Sequence, residues 1–237
     1  AVAGGGADAQ NIALGDLMTE ISNVDLTSVN TIEVLSTNTQ TASIGLGAGV
    51  LAASMAGGSA AIGAVVSKNM LGVKDNKTKT RAKVQTKIDG SSLKTTGPDA
   101  DITINASSDS KYDTIAVPIS VAMTGGASGV FAGAFSGAFN YSRSAYDIGT
   151  TTSASSLTAK RDLSITSALD GEITEARTNG GALAAVFGAK GLSLSIGASQ
   201  NENTFDSVSS VLINDGVSDK QAKTLKAGRN LTIGATE

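Results

Sequence analysis

The 237-residue chain contains no cysteine, no histidine, no tryptophan and only two prolines. Each absence removes a class of chemistry. Without cysteine there is no disulfide framework, no thiol nucleophile and no thiolate metal site. Without histidine as well, His-based triads and the usual zinc sites are excluded. Aromatic residues make up 3% of the chain, too few for a round core anchored on large rings. The core must instead be assembled from Val, Ile, Leu, Ala and Gly used many times, which favours stacked layers. A net charge of −3 with no basic stripe leaves nucleic acid out as a partner. The opening AVAGGGADAQ has neither a basic n-region nor a long apolar h-region, so it does not read as a signal peptide. The chain reads as a segment that starts and stops inside a repeating pattern.

What the chain has is glycine, 28 residues of it, and abundant Ala, Ser and Thr. No charge occurs between Glu33 and Lys68 or between Asp113 and Arg143, and each gap is long enough for a membrane-spanning helix. Both gaps alternate apolar with small residues, as in Ile44, Leu46, Ala48 and Val50. That is the period of a strand, where a helix would show 3.6. Membrane insertion is therefore not expected.

Internal repetition organises the sequence. DLTSVNTIEV (25–34), SLKTTGPDADITI (92–104), SLTAKRDLSI (156–165) and TLKAGRNLTI (224–233) share one pattern. Their first leucines, Leu26, Leu93, Leu157 and Leu225, are 67, 64 and 68 residues apart. Each segment reads as strand, polar turn, strand: Leu157 inward, then Lys160-Arg161-Asp162, then Leu163 and Ile165 inward. The local TTGPD accounts for an insertion in the second copy. Strands with inward Ala82, Val84, Thr86 and Ile88 lead to turns at Asp89-Gly90, with Ile148-Gly149 and Ile213-Asn214-Asp215-Gly216 as the matching sites. The expected fold is all-β, a right-handed parallel β-helix (β-solenoid) of about three repeats of roughly 65 residues. The chain is one solenoid segment, with approximate units 1–35 (the end of a preceding repeat), 36–106, 107–168 and 169–237. Each unit is expected to hold on the order of three turns, so a dozen coils would give a rod of roughly 55 Å. The apolar blocks form either part of those coils or antiparallel hairpins within them.

Three Gly/Ala-rich blocks, 43–67, 115–141 and 180–199, separate the repeats, each ending near an Asn/Ser-rich segment. In the second, Phe131, Gly133, Phe135, Gly137, Phe139 and Tyr141 share one face of a strand. Val130, Ala132, Ala134, Ser136 and Ala138 share the other. Apolar character on both faces predicts a strand covered on both sides. The competing reading is an exposed contact stripe of Phe131, Phe135, Phe139 and Tyr141.

KAGRNLTIGA (226–235) and TAKRDLSITSA (158–168) resemble the repeats of filamentous haemagglutinin-like exoproteins. The wider layout resembles repeat regions of giant adhesins and leukotoxin-like exoproteins of anaerobic Gram-negative bacteria. The likeness covers most of the chain in layout but about ten residues per unit in motif, and TTGPDADITI departs from it. It implies a right-handed β-helix, export by an autotransporter or two-partner route, an extracellular location and work in adhesion. Such shafts carry no catalytic residues to transfer.

Sites for chemistry are sparse. Asp99 and Asp101 have the spacing that sets two carboxylates on one side of a strand, beside a Gly97-Pro98 turn. Asp109 and Asp113 flank Tyr112. Sugar platforms would have to come from Tyr112, Tyr141 and Tyr146. Gly4-Gly5-Gly6-Ala7-Asp8 is similar to a calcium-binding nonapeptide but occurs once, and reads as a flexible edge. AIGAVVSKN (61–69) lacks the helix of a phosphate loop. The run Lys74 to Lys83 reads as a solvated loop or a contact for anionic polysaccharide. No catalytic residue, metal or cofactor is expected. The function read from the sequence is a non-catalytic shaft segment of a bacterial surface adhesin, with a self-assembling filament subunit and a membrane-active segment as alternatives. Expected partners are adjacent repeats of the same protein, a surface receptor, or further copies of the chain.

Overall fold

A computed structural model describes residues 1–73, 80–188, 190–214 and 224–237. Among these residues there are seventeen strands, numbered here in chain order, and no helix. Four parallel sheets each take one strand from every successive pass of the chain. The first sheet is β1 (Val2–Ala13), β5 (Gly58–Leu71), β9 (Val130–Ser144) and β14 (Gly191–Phe205). The second is β2 (Leu17–Ser22), β6 (Ala82–Asp89), β10 (Tyr146–Ser153) and β15 (Val208–Asn214). The third is β3 (Asp25–Ser28), β7 (Ser92–Thr95), β11 (Ser156–Ala159) and β16 (Leu225–Ala227). The fourth runs β4 (Ile32–Ser54), β8 (Ile102–Gly125), β12 (Leu163–Thr178) and β17 (Leu231–Thr236), with β13 (Gly181–Phe187) prolonging β12 along β8.

The register corrects the expected size of a turn. Leu26, Leu93, Leu157 and Leu225 are paired neighbours across the third sheet. One 64–68-residue interval is therefore one pass round all four sheets, where three turns were expected. The passes stack over about 19 Å at a strand spacing of ~4.8 Å, in place of a 55 Å rod, while the 24-residue β8 extends for roughly 79 Å. The molecule is a thin slab. Its accessible surface of 11887 Å² exceeds the roughly 9,800 Å² expected of a compact protein of 23.5 kDa. The antiparallel-hairpin alternative is overturned too, because β8 and β9 lie in different sheets and every ladder is parallel.

Two interiors follow from the sequence. Near the third sheet, Ile88, Leu93, Ile102, Ile104, Leu157, Leu163 and Ile165 form the main apolar core, as their period-two spacing predicted. Burying such side chains stabilises by about 1.5–3 kcal/mol each. At the opposite end, the first sheet packs on the distal halves of β4 and β8 through Ala52, Ala61, Ala122, Ala132 and Ala134. Side chains this small let the two sheets approach closely. Between these zones two smaller apolar clusters, one around Leu71, Val84, Tyr112, Tyr146 and Ile148 and one of Val65, Ala116 and Ala138, alternate with polar contacts: Asn69 donates to Thr114 Oγ1 at 2.7 Å and Asn11 donates to Asn69 Oδ1 at 3.1 Å.

The corner between the second and third sheets uses a left-handed residue in three passes: Asn23 (φ 55°), Gly90 (φ 57°) and Ala154 (φ 49°). Asp89-Gly90 is thus the turn that was expected. Ile148-Gly149 is not, since both lie inside β10, and the corner falls at Ala154. Asp215 and Gly216 lie outside the described residues.

Candidate functional site

The repeated turn between the third and fourth sheets carries a ladder of polar groups. Thr31, Asp101, Asp162 and Asn230 each immediately precede an inward aliphatic residue of the fourth sheet. The backbone N–H of Asp101 donates to Thr31 Oγ1 at 3.2 Å, that of Asp162 to Asp101 Oδ1 at 3.0 Å, and that of Asn230 to Asp162 Oδ1 at 3.1 Å. Each pass thereby supplies an acceptor to the backbone of the next. Two arginines reinforce the ladder. Arg161 grips the Asp101 carboxylate with Nε and Nη2, and Arg229 grips Asp162 in the same way. A guanidinium fork matches a carboxylate with two parallel bonds. The Arg161 fork holds the Asp101 carboxyl below its ordinary value, and Arg229 does the same to Asp162. Gly228 is required by close approach: a Cβ there would stand 2.0 Å from the Lys160 carbonyl oxygen. The Gly-Arg-Asn-Leu wording of the motif therefore has a stacking purpose at each of its four positions.

A second charged cluster ties three passes together where the first sheet leads into the second. Arg81 and Arg143 donate to the two oxygens of Asp206 at 2.6 and 2.8 Å. Those two hydrogen bonds, that from Arg143 first, lower the Asp206 carboxyl.

The carboxylates singled out in the sequence do not form a reactive pair. Asp101 is engaged in the ladder, while Asp99 projects into solvent from the Gly97-Pro98 turn, 3.9 Å from Arg161 Nη1. Asp109 and Asp113 point outward on β8, whereas Tyr112 between them points inward and is fully buried, its phenol pushed upward by burial. Tyr146 is buried as well, donating to Gln40 Oε1. Neither tyrosine is a sugar platform. Gly4 to Asp8 form an ordered edge strand paired with Ile62 to Val66, which corrects the flexible edge. Of the basic run, Lys74 to Lys79 lie outside the described residues. Among the described residues no three Asp or Glu side chains gather as a metal site, and no helix is long and apolar enough to cross a membrane.

The aromatic stripe is where expectation and structure differ most. Phe131, Phe135, Phe139 and Tyr141 all lie on the face of β9 opposite its covered Ala/Ser face, and Tyr141 alone of the four packs against a buried cluster, that of Met70, Val73 and Ala145. Phe131 is 39% exposed, so the expected two-sided cover is absent. The rings of Phe131 and Phe135 lie over Gly133, where an added Cβ would meet them at 2.9 and 3.3 Å. They level the strand into a flat surface. Register extends that surface across the sheet: Gly4, Ile62, Phe135 and Ile196 form one row, and Gly6, Ala64, Gly137 and Ala198 the next but one. The distal half of β8 is similar on its own outer face, with Ile115 and Ile119 exposed. This end of the slab is inverted, with small residues inside and large apolar ones outside.

Comparison with known proteins yields no match to a family model, to a curated protein or to a solved structure.

Proposed function

We propose that this chain is a non-catalytic segment of the shaft of a large secreted or surface-displayed bacterial adhesin, spacing or presenting a binding region. In this reading it is a right-handed parallel β-solenoid, the hand that parallel crossover connections take almost without exception. The observation that carries the reading is the turn ladder from Thr31 through Asp101 and Asp162 to Asn230, in which every pass prepares the acceptor for the next. A fold that grows by equal increments sets length, which is what a shaft requires. The likeness of KAGRNLTIGA and TAKRDLSITSA to haemagglutinin-like repeats supports export to the cell exterior. The test is antibody raised against the chain and applied to intact cells of the source bacterium. Labelling without permeabilisation is expected; labelling only after permeabilisation overturns the proposal.

A membrane-active segment is favoured by one observation, the inverted end of the slab. The uncharged runs of β5 (58–67) and β14 (191–201) have about the nine to eleven residues of a membrane-crossing strand. Release of dye from liposomes by the chain would support this second reading, and intact liposomes would remove it.

A further inference from the structure

We infer that the outer face of the first sheet is a lateral docking surface for the same face of a second copy of this chain. The inference goes beyond the shaft reading and rests on separate observations. The face is built from four unbroken strands, and between the Phe131 and Gly137 rows it carries no charged side chain in any pass. Ile62, at its centre, is 52% exposed although its strand lies inside the stack. On β9 the glycines Gly133 and Gly137 are roofed by phenylalanine rings, which flatten the centre of an apolar face.

Two arguments choose the occupant. The first is periodicity. Rows such as Ile62–Phe135–Ile196 repeat at the strand spacing of about 4.8 Å along the stack. A second copy has the same spacing, so every added pass repeats the contact in step. The second is area. Seven residues along the strand and four strands across give roughly 440 Å² per copy, or about 900 Å² in all. That is just under the lower limit for a stable specific interface. Four passes should therefore associate weakly and reversibly, and the symmetric face-to-face arrangement closes as a two-fold dimer.

The opposite face is the internal control. Ile119 on β8 is 51% exposed, matching Ile62 in exposure and size. Both point outward, so a charge at either position leaves the interior packing alone.

The experiment is sedimentation velocity of the 237-residue chain over a wide concentration range, alongside Ile62→Glu and Ile119→Glu. Circular dichroism confirms that each variant retains the β fold. The wild-type chain should pass reversibly from monomer to dimer. Ile62→Glu should raise the dissociation constant at least tenfold, and Ile119→Glu should leave it within about twofold. A wild type that stays monomeric at every concentration overturns the inference. So does equal weakening by both variants, which means non-specific association, or no effect of Ile62→Glu, which means joining through strand edges. The same samples are floated with neutral phosphatidylcholine vesicles. Flotation of the monomer that is abolished by Ile62→Glu would assign the face to a bilayer and overturn the second copy as its occupant. None of these outcomes depends on whether the chain is displayed on a cell, so the two proposals fail separately.

Discussion

Replacing Leu157 and Leu26 in turn by alanine tests whether one interval of the sequence is one pass of the fold. Both leucines occupy the same place in their motif, yet the structure gives them different surroundings. Leu157 is fully buried, with Leu93 on one side and Leu225 on the other in the same ladder. Leu26 is paired with Leu93 alone and remains 40% exposed. Truncating Leu157 removes buried methyl groups and leaves an enclosed void, a change that costs about 3–4 kcal/mol. Truncating Leu26 forfeits a little over half of a leucine's transfer free energy, roughly 1–2 kcal/mol, and opens no sealed cavity. Urea unfolding followed by far-UV circular dichroism measures both, provided the slope of the transition is unchanged between variants. The expected result is a loss for Leu157→Ala at least twice that for Leu26→Ala. Had each interval folded as several turns with its own core, the two leucines would be equivalent. Equal losses would refute the stacking argument. The double variant Leu93→Ala/Leu157→Ala adds a second check, because the two residues touch and their losses should not sum.

Other expectations follow from single features. Gly228→Ala places a methyl group against the Lys160 carbonyl and should cost about 1–3 kcal/mol in thermal melting, whereas Gly49→Ala, with open space around it, should be nearly silent. Ala154→Gly relieves a left-handed alanine, so the variant should be as stable as the parent or up to ~1 kcal/mol more so, measured by the same melts. The Asp101 carboxyl is lowered in the fold chiefly by Arg161, so its contribution is complete above the ordinary carboxylate value and disappears as pH falls through the lowered one. Melting temperature should therefore decline below about pH 4, and Asp101→Asn should flatten that decline. Tyr112 and Tyr146 are raised by burial, so spectroscopic titration should show them ionising only as the chain unfolds in alkali.

Much of the architecture was legible in the residues, and the parts that were not have identifiable physical causes. Period-two alternation gave the inward residues of β4, β6 and β12, and the spacing of four leucines gave the interval. The number of turns per interval was misread because β4 and β8, at 23 and 24 residues, are several times the usual strand length. Alternation reports that a chain is extended but not how far it runs before it turns. The covered reading of β9 failed because alanine and phenylalanine both count as apolar in a binary pattern. Only their sizes reveal that the thin interior takes Ala132 and Ala134 and expels Phe131 and Phe135. The corner at Ala154 left no signal, since alanine is not a turn-former. The ladder at Asp101 and Asp162 was present in the motif as polar turn material, but its bonds connect residues 60 to 70 apart and belong to stacking alone.

Because every sheet is parallel and each pass lies on the one before, the hydrogen bonds between passes all point along the stacking direction. A pull in that direction loads them end-on, one layer at a time, instead of shearing a whole sheet at once. The Arg161–Asp101 and Arg229–Asp162 forks then act as straps that must open before a layer peels away. Each layer that yields would release some 64–68 residues, about 220 Å of extended chain. Under tension such a stack would lengthen in even steps and dissipate work at each one, so a tether made of it would stretch under load before it broke.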